Sequence, residues 1–207
     1  MIRTIFYTIT STDHGRTIGT FLKSRQYSRL VLIGLKQSNQ GICLNGQHAG
    51  IHERLREGDL LQITLEEEAG SETIIPEDIP LDILYEDDDL LIVNKPPGMP
   101  VHPSVNHHTG TLANGVMSYL AKKGQACPFR CLNRLDRDTS GVTILAKHML
   151  SASMLVKAND EENEDKIQKT YLAIVEGITE PRGTIRLPIG RKPGSIIERQ
   201  VDEVGGK

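Results

Sequence analysis

One stretch of strong negative charge divides this chain and limits how it can fold. Residues 66–90 carry 11 acidic side chains and no basic one, and residues 66–80 also contain two prolines, a glycine and a serine. Such a composition, with little apolar periodicity, is typical of a solvated connection between folded parts. We therefore predict an N-terminal part at residues 1–65, an acidic linker at 66–80 and a second domain at 81–207.

The charge balance points to an anionic partner and away from a membrane. The net charge of −3 is the sum of +4 for residues 1–65, −11 for residues 66–90 and +4 for the remainder. The two positively charged parts favour partners that carry phosphates. No run of about 18 apolar residues is present, so no membrane span is expected. Three cysteines are a small and odd number, which argues against a disulfide framework. The expected location is therefore the reducing cytoplasm.

The N-terminal part has the pattern of a small α+β module. Its first residues alternate as in a strand, and the apolar spacing that follows predicts two short amphipathic helices separated near Gln26 to Ser28. Ser28 is a candidate N-cap for the second helix. Asn45-Gly46 predicts a hairpin turn, and a strand that alternates through Leu61, Ile63 and Leu65 follows Gly58-Asp59.

Basic side chains accumulate on or beside the two predicted helices, where they form either a solvated face or a surface for phosphates. The segments TIGTFLKS, YSRLVLIGLK, ICLNG and LREGDLLQI follow one another in the order helix, helix, hairpin and strand. In this order, over residues 15–65, the chain resembles the alpha-L RNA-binding motif. The candidate RNA-binding residues are Arg16, Lys23, Arg25, Arg29 and Lys36.

The second part alternates strand and helix patterns around several polar loops. LDILYEDDDLLIVNKP predicts two strands around an acidic turn, and TLANGVMSYLAKKG predicts a helix with Thr109 or Thr111 near its cap. VTILAK predicts a buried strand, AKHMLSASMLVKAND a helix and QKTYLAIVEG another strand. The last residues, from GTIRLPIG onward, predict a strand-like start followed by little structure.

A metal site is not expected from the sequence. His102, His107 and His108 share one loop that has no nearby cysteine or acidic residue, whereas a zinc site needs three or four convergent ligands. Cys127 and Cys131 have the spacing C-x3-C, but no second pair accompanies them. Reduced thiols near the core are the better interpretation of these two residues.

The stretch RLDRDTSG, residues 134–141, is unusually polar for a segment that directly precedes an apolar strand. Three interpretations of it remain open on the residues alone. Asp136 and Asp138 could be the paired carboxylates of a glycoside hydrolase. The stretch could be a structural turn in which Thr139 and Ser140 bond backbone amides. Asp136 could also act alone as a nucleophile or base that Arg134 keeps ionised.

The third interpretation gains strength from the motifs around this stretch. DDLLIVNKPPGMPVHP, RLDRDTSG and KTYLAIVEG occur in this order, and together they resemble the RluA family of RNA pseudouridine synthases. The resemblance implies an α+β fold in which the alpha-L type module precedes a mixed, largely antiparallel synthase sheet. It further implies that the sheet continues beyond Lys207, so that the catalytic domain would be incomplete here and less active than an extended version.

The resemblance also implies roles for individual residues. Asp136 matches the residue that attacks the uridine, and Arg134 matches an arginine that pairs with this Asp and helps to fill the space left by the flipped base. Tyr171 matches a tyrosine that packs on the uracil and serves as a general base. Asn133 stands where many members carry His. The substrate-binding positions implied by the match are Asn94, Lys95, Thr139, Ser140 and Lys169.

Uridine isomerisation involves no redox step, so the expectation is an isomerase without cofactor or metal. Its partner would be structured RNA, ribosomal RNA in the first place and transfer RNA as the alternative, with no membrane and no obligate protein partner. A second hypothesis is an RNA-binding fragment whose incomplete catalytic half is inactive.

Overall fold

The computed structural model describes residues 1–67, 73–104, 108–159, 166–195, 198–203 and 205. It divides into two compact units, Met1–Ile167 and Gln168–Lys207. The architecture is mixed α and β with antiparallel sheets, as the sequence indicates.

The first unit begins with a four-stranded antiparallel sheet. Its longest pairing joins the two strands that come first and last in the sequence and lie side by side in the sheet. They pair over seven residue pairs, from Ile2 opposite Glu66 to Thr8 opposite Leu60. Leu61, Ile63 and Leu65 alternate toward the core, and each is at most 6% exposed. The strands are β1 Ile2–Thr8, β2 Ile42–Leu44, β3 Gln47–His48 and β4 Leu60–Glu66, in the spatial order β1-β4-β2-β3.

Two helices, α1 Ile18–Ser24 and α2 Arg29–Gln37, bury their apolar side chains in one cluster with this sheet. Each begins where a hydroxyl side chain accepts a backbone N–H that the first turn leaves free. Thr17 Oγ1 accepts from Thr20 N at 3.2 Å, and Ser28 Oγ accepts from Val31 N at 3.4 Å. The predicted helix pair and the predicted cap at Ser28 are confirmed.

The turn between β2 and β3 also follows the sequence prediction. Asn45 and Gly46 have φ angles of 52° and 81°, the left-handed conformations that a two-residue hairpin turn requires. The Asn45 side chain then bonds the backbone N–H of Leu60 at 2.9 Å and the Asp59 carboxylate at 2.9 Å. These bonds attach the hairpin to the start of β4.

A three-stranded antiparallel sheet follows within the same unit, in the order β5-β6-β7. The central strand pairs with β7 over six residue pairs, from Leu90 opposite Ala146 to Lys95 opposite Gly141. The core on this sheet includes Leu91, Val93 and Leu145. The new elements are β5 Asp82–Glu86, β6 Leu90–Lys95, α3 Leu112–Lys122, β7 Gly141–Ala146 and α4 Met149–Ala158, which confirm the predicted strand pair, central strand and two helices.

The two sheets of the first unit are joined by buried polar and apolar contacts. Arg130 Nη2 donates to Glu67 Oε2 at 2.6 Å, and the backbone N–H of Met149 donates to Glu67 Oε1 at 2.6 Å. Leu150 of α4 belongs to the core cluster of the N-terminal sheet and helices. The expectation that the acidic segment keeps to solvent is therefore wrong for Glu67, because its carboxylate has a cationic partner and a helix N-terminus nearby.

The described part of the predicted linker, residues 73–80, is also partly packed. Ile74 is 4% exposed and lies in a small cluster with Ala113 and Met117 of α3. The Asn114 side chain donates to the carbonyl of Ile75 at 2.7 Å. Ile74 and Ile75 are two adjacent apolar residues without a repeating pattern, so the sequence did not predict that this segment packs against α3. The boundaries 1–65, 66–80 and 81–207 stay a prediction.

The second unit, Gln168–Lys207, differs from the expectation in two ways. No strand is assigned among its described residues before Ile189, and Leu172 and Ile174 are fully exposed. The strand predicted from QKTYLAIVEG is thus wrong for this structure, because a strand forms only where a partner strand accepts and donates its backbone hydrogen bonds. An antiparallel pair that sequence patterning missed is present instead, β8 Ile189–Arg191 with β9 Arg199–Val201.

Within the described residues, no helix is both long enough and apolar enough to cross a bilayer.

Candidate active site

The polar stretch forms the loop that leads into β7. Leu135, at its centre, is 9% exposed and belongs to the core of the three-stranded sheet. Arg134 and Asp136 on either side of it are exposed. Neighbouring side chains of an extended segment point to opposite sides, so one buried leucine directs both charged residues toward solvent. The backbone of the motif is thereby fixed to the core while its charged groups stay accessible.

A tight turn follows Asp136. The backbone N–H of Thr139 donates to the carbonyl of Asp136 at 3.2 Å, which places Arg137 and Asp138 at the tip. Arg137 binds the Asp138 carboxylate through two nitrogens, each at 3.0 Å. This contact lowers the pKa of Asp138. Because Asp138 is already engaged, the two Asp residues do not form a free carboxylate pair of the kind a glycoside hydrolase needs.

The buried ammonium of Lys95 holds this loop from the inside. Lys95 is 0% exposed, and its Nζ donates to the carbonyls of Pro96, Met99 and Arg137 at 2.9, 2.8 and 3.0 Å. A lysine has three N–H donors, so this arrangement uses all of them. Lys95 therefore joins the loop after β6 to the loop that carries Asp136, two segments that are distant in sequence.

The surroundings of Lys95 are electrostatically connected to the two acidic residues of the loop. Burial lowers the pKa of the Lys95 ammonium, and the negative charges of Asp138 and Asp136 counteract this effect in part. A cation that is removed from water but surrounded by carbonyl oxygens acts as a local positive centre beneath the acidic loop. The family resemblance makes Lys95 a candidate substrate-binding residue, but the sequence gives no sign that its side chain is buried.

Gly141 closes the loop and starts β7. Its φ angle of 129° lies in a region that residues with a side chain rarely adopt, so the glycine of the motif is required by the backbone itself. Gly141 is directly opposite Lys95 in the pairing of β6 with β7. The loop is thus held by the strand register at one end and by the Lys95 side chain near its tip.

Asn133 fixes the other end of the loop, and sequence reasoning missed it. Its side-chain oxygen accepts from the backbone N–H of Ile144 at 2.9 Å, and its side-chain nitrogen donates to the carbonyl of Val142 at 2.8 Å. The sequence shows only that an asparagine stands directly before the charged motif. It does not show that the Asn133 side chain bonds to β7.

The predicted pairing of Arg134 with Asp136 is not formed. Among the described residues, no ion pair joins them, although both lie on the exposed side of the loop. Two solvated charges gain little from pairing, so nothing in the free chain holds the guanidinium against the carboxylate. The only ion pair within the described loop is the one between Arg137 and Asp138.

The remaining predicted residues are distributed over both units. Asn94 is exposed in β6 and donates to the Asp82 carboxylate at 2.9 Å. Thr139 is half-buried and Ser140 is exposed. Lys169 and Tyr171 belong to the second unit, where both are exposed and lie outside any strand. Their roles, like those of the loop residues, stay predictions.

The basic residues of the two N-terminal helices separate into two groups. Arg16 binds Asp13 at 2.7 Å, and Arg25 lies 3.9 Å from the same carboxylate while its guanidinium stacks over Phe21 at 5.1 Å. These two arginines therefore have structural partners. Within the described part of the chain, no ion pair engages the other three, which are all exposed: Lys23, Arg29 and Lys36.

The histidines and cysteines considered as metal ligands have other surroundings. His102 packs edge-on against Phe129 with ring centroids 5.3 Å apart, and His107 lies outside the described residues. Cys127 is buried, and burial raises the pKa of the Cys131 thiol to about 11. Among the described residues, no group of three or more His, Cys, Asp or Glu side chains lies close enough together to hold a metal ion.

Comparison with known proteins identifies the family. The model of the family described as RNA pseudouridylate synthase matches residues 89–207, more than half of the chain. This chain is a member of that family, in its RluA-type branch. The matched residues include β6, the Asp136 loop and β7 of the first unit, together with the whole second unit.

Individual relatives agree with the family model. The chain is 39% identical to the uncharacterized RNA pseudouridine synthase YjbO of Bacillus subtilis, over 87% of this chain and 63% of that protein. It is 31% identical to ribosomal large subunit pseudouridine synthase D of Neisseria meningitidis serogroup B, over 80% of this chain and 44% of that protein. The chain thus spans about half to two thirds of the length of these relatives.

A solved structure, human RNA Pseudouridylate Synthase Domain Containing 1, matches with a TM-score of 0.42 at 20% identity. The match covers 63% of this chain and 48% of the human one.

Proposed function

We propose that this chain converts specific uridines of structured RNA to pseudouridine, with Asp136 as the nucleophile. The observation that carries the proposal is the loop itself. In a chain of this family, an exposed aspartate follows a buried leucine, and a buried lysine and a strand-starting glycine fix the backbone around it. An accessible carboxylate on a rigid support is what nucleophilic attack on a uridine requires.

The reaction is an isomerisation, so its atoms balance without a second substrate. The bond between the ribose C1′ and the uracil N1 breaks, the base turns, and a bond from C1′ to C5 forms. The proton on C5 is released and N1 gains one, so no electrons enter or leave. The protein has to supply a nucleophile, a surface that holds the detached base and a means to reach a base inside folded RNA.

We assign these tasks to residues that the family resemblance indicates. Asp136 attacks C1′ of the ribose as the bond from C1′ to N1 breaks, and its carboxylate is released when C1′ bonds to C5. Tyr171 packs on the uracil and takes the proton from C5. Arg134 is exposed beside Asp136, where it is available to approach RNA, and it enters the space of the extruded base. Extrusion of a base costs a few kcal/mol, and stacking and edge contacts offset that cost. Pairing of Arg134 with Asp136 would then form in the RNA complex.

The RNA would be held by the exposed basic groups of the N-terminal helices. Lys23, Arg29 and Lys36 are accessible. Arg29 and Lys36 are seven residues apart, two helical turns, so they lie on the same side of α2. We propose ribosomal RNA as the substrate, because a relative bears the name ribosomal large subunit pseudouridine synthase D. Transfer RNA is the alternative, and loops or single strands are the expected targets.

A tritium-release assay tests the proposal. Ribosomal RNA labelled with tritium at C5 of uridine loses its label when C5 becomes bonded to the ribose. We expect release by the parent chain, no detectable release by Asp136→Asn, and release within about threefold of the parent by Asp138→Asn, since Asp138 is a neighbouring exposed acid with no catalytic role in this proposal.

Three other outcomes would contradict the assignment. Release by Asp136→Asn within about tenfold of the parent would show that another group attacks the uridine. Loss of activity in Asp138→Asn equal to that in Asp136→Asn would show that charge in the loop, and not the identity of Asp136, is what matters. RNA binding by the parent without any release would favour an inactive RNA-binding fragment.

A further inference from the structure

Asn133 makes a pair of contacts that resembles strand pairing but uses a side chain. Before it, the backbone of residues 130–132 runs along the free edge of β7. Leu132 N donates to Ile144 O at 2.9 Å, Ala146 N donates to Arg130 O at 2.9 Å, and Cys131 bridges Leu145. At Asn133 the carboxamide takes over, since it bonds both Val142 O and Ile144 N.

The exchange of backbone for side chain has a direct consequence for the chain path. A main chain that is bonded to β7 must run alongside it, as residues 130–132 do in the antiparallel sense. A carboxamide satisfies the same edge and leaves its own main chain free. Asn133 is therefore the last residue attached to β7 before the chain turns away. The carbonyl of Asn133 is held as well, because it accepts the Cys131 thiol at 2.8 Å.

We propose that Asn133 is a positioning residue, which sets the direction in which the chain leaves β7 and thereby the position of the Asp136 carboxylate three residues later. The inference rests on the proposed function of Asp136. Lys95 and Gly141 fix the loop from its far side, so Asn133 supplies the constraint at its near side. Catalytic groups need support at the level of tenths of an ångström, and a loop held at one end only does not provide it.

The chemistry of the contact explains why a carboxamide is suited to it. The edge of a strand presents a carbonyl and an N–H in the same direction, and a carboxamide presents an N–H and an oxygen in the same direction. An aspartate has no donor, so its second oxygen would face the carbonyl oxygen of Val142. The two nitrogens of an imidazole point away from each other, so histidine satisfies one of the two groups. Glutamine is longer by about 1.5 Å.

The test is a single-turnover measurement with excess protein over tritium-labelled RNA. Under this condition the RNA sets the amplitude, and the rate constant reaches a plateau at high protein concentration that does not depend on the fraction of folded protein. A lower plateau rate constant therefore reports misplacement of Asp136. We expect Asn133→Ala and Asn133→Asp to lower the rate constant about 100-fold with the amplitude and the affinity for RNA retained, since an error of about 1 Å in a reacting group costs this much. Gln47→Ala, which removes an exposed carboxamide of β3, is the matched control.

The second variant protects the test against simple unfolding. Asn133→Asp keeps the acceptor for Ile144 N and changes only the contact with Val142 O, where an oxygen replaces the donor, so the pairing of the chain with Ile144 remains supported. Hydrogen exchange at the Ile144 amide reports the contact itself. It should be slow in the parent and in Asn133→Asp, and fast in Asn133→Ala.

Distinct results separate this inference from the proposed function. An active parent whose rate constant changes less than about threefold in both variants would overturn the role of Asn133 and leave Asp136 untouched. An unchanged plateau rate constant that only needs more protein to be reached would also overturn it, because Asn133 would then serve folding only. A parent that binds RNA without turnover would contradict the proposed function, and the positioning role would be rejected with it.

Discussion

The strand β7 and the segment of residues 171–175 have similar apolar compositions but very different surroundings. β7 pairs with β6 over six residues, and Leu145 is 3% exposed. In the second unit Leu172 and Ile174 are fully exposed, and no strand is assigned to them. The difference shows that apolar, β-branched residues define a candidate strand, while a partner strand decides whether it forms.

The two segments also differ in what fixes them. The ends of β7 are held by the Asn133 carboxamide and by the Lys147 ammonium, which donates to Glu86 at 2.8 Å and to the carbonyl of Asp87 at 2.6 Å. The Lys147 contact with Glu86 ties the end of β7 to β5, which lies on the other side of the central β6. In the first unit, apolar burial stabilises β7, and the polar contacts of Asn133 and Lys147 additionally fix its position relative to the neighbouring segments.

The largest effect is expected at the contact that joins the two sheets of the first unit. Arg130→Met leaves the Glu67 carboxylate, which is 5% exposed, without its cation. Loss of one partner of a buried ion pair lowers the free energy of unfolding by ~3–5 kcal/mol. Chemical denaturation measures this. Lys122→Met removes a solvent-exposed pair with Asp78 and should change the same free energy by less than ~0.5 kcal/mol. If Arg130→Met changed the free energy of unfolding as little as Lys122→Met, the contact between Arg130 and Glu67 would not stabilise the two sheets against each other.

A pair of leucine truncations compares the two units directly. Leu91→Ala removes a side chain that is 1% exposed and should lower the free energy of unfolding by ~2–5 kcal/mol, through lost burial and a cavity. Leu172→Ala changes a fully exposed side chain and should stay within ~0.5 kcal/mol of the parent. A cost of several kcal/mol at Leu172 would mean that the second unit buries this residue in solution.

The acid sensitivity of the first unit should depend on Glu86. Burial raises the pKa of Glu86, but hydrogen bonds from Lys123, Lys147 and Tyr119 outweigh it and lower the pKa from 4.5 to about 2. A lowered carboxyl pKa stabilises the folded state above pH 4.5, and this stability is lost as the pH falls toward 2. Thermal unfolding between these values should show a shallower loss for Glu86→Gln. Parallel profiles of variant and parent would refute this role.

The smallest effect per residue is expected on RNA affinity. Replacement of Lys23, Arg29 and Lys36 by Gln should reduce the slope of log affinity against log salt by about 1 for each phosphate contact removed. The variant is preferable to deletion of residues 1–65, because Leu150 of α4 packs into the same core. Lys122→Gln serves as a control of equal charge per residue. An unchanged slope in the triple variant would show that these helices present a solvated face.

Sequence reasoning succeeded where the deciding interactions are local. Ser28 caps the helix that begins one residue later, and Asn45-Gly46 form the turn that their own backbone preferences dictate. The motif loop was also found, because its residue types are unusual directly before an apolar strand. These features depend on neighbours within a few positions, so a single sequence contains the information.

The sequence did not reveal contacts between distant segments. Lys95 would be expected in solvent, since lysine is rarely buried, and its acceptor on Arg137 is 42 residues away. The Asn133 side chain bonds a strand whose register is set by β6. The strand expected around Tyr171 failed for the same reason, because no local pattern states which partner a strand will have.

Backbone hydrogen exchange of the free chain tests the central comparison most directly. We expect slow exchange for amides of β6 and β7, including Ile144, and fast exchange for residues 170–187, which make no strand. Measurement by mass spectrometry after digestion resolves both regions in one experiment. Protection of residues 170–187 equal to that of β7 would contradict the account, because it would mean that this segment has found a strand partner.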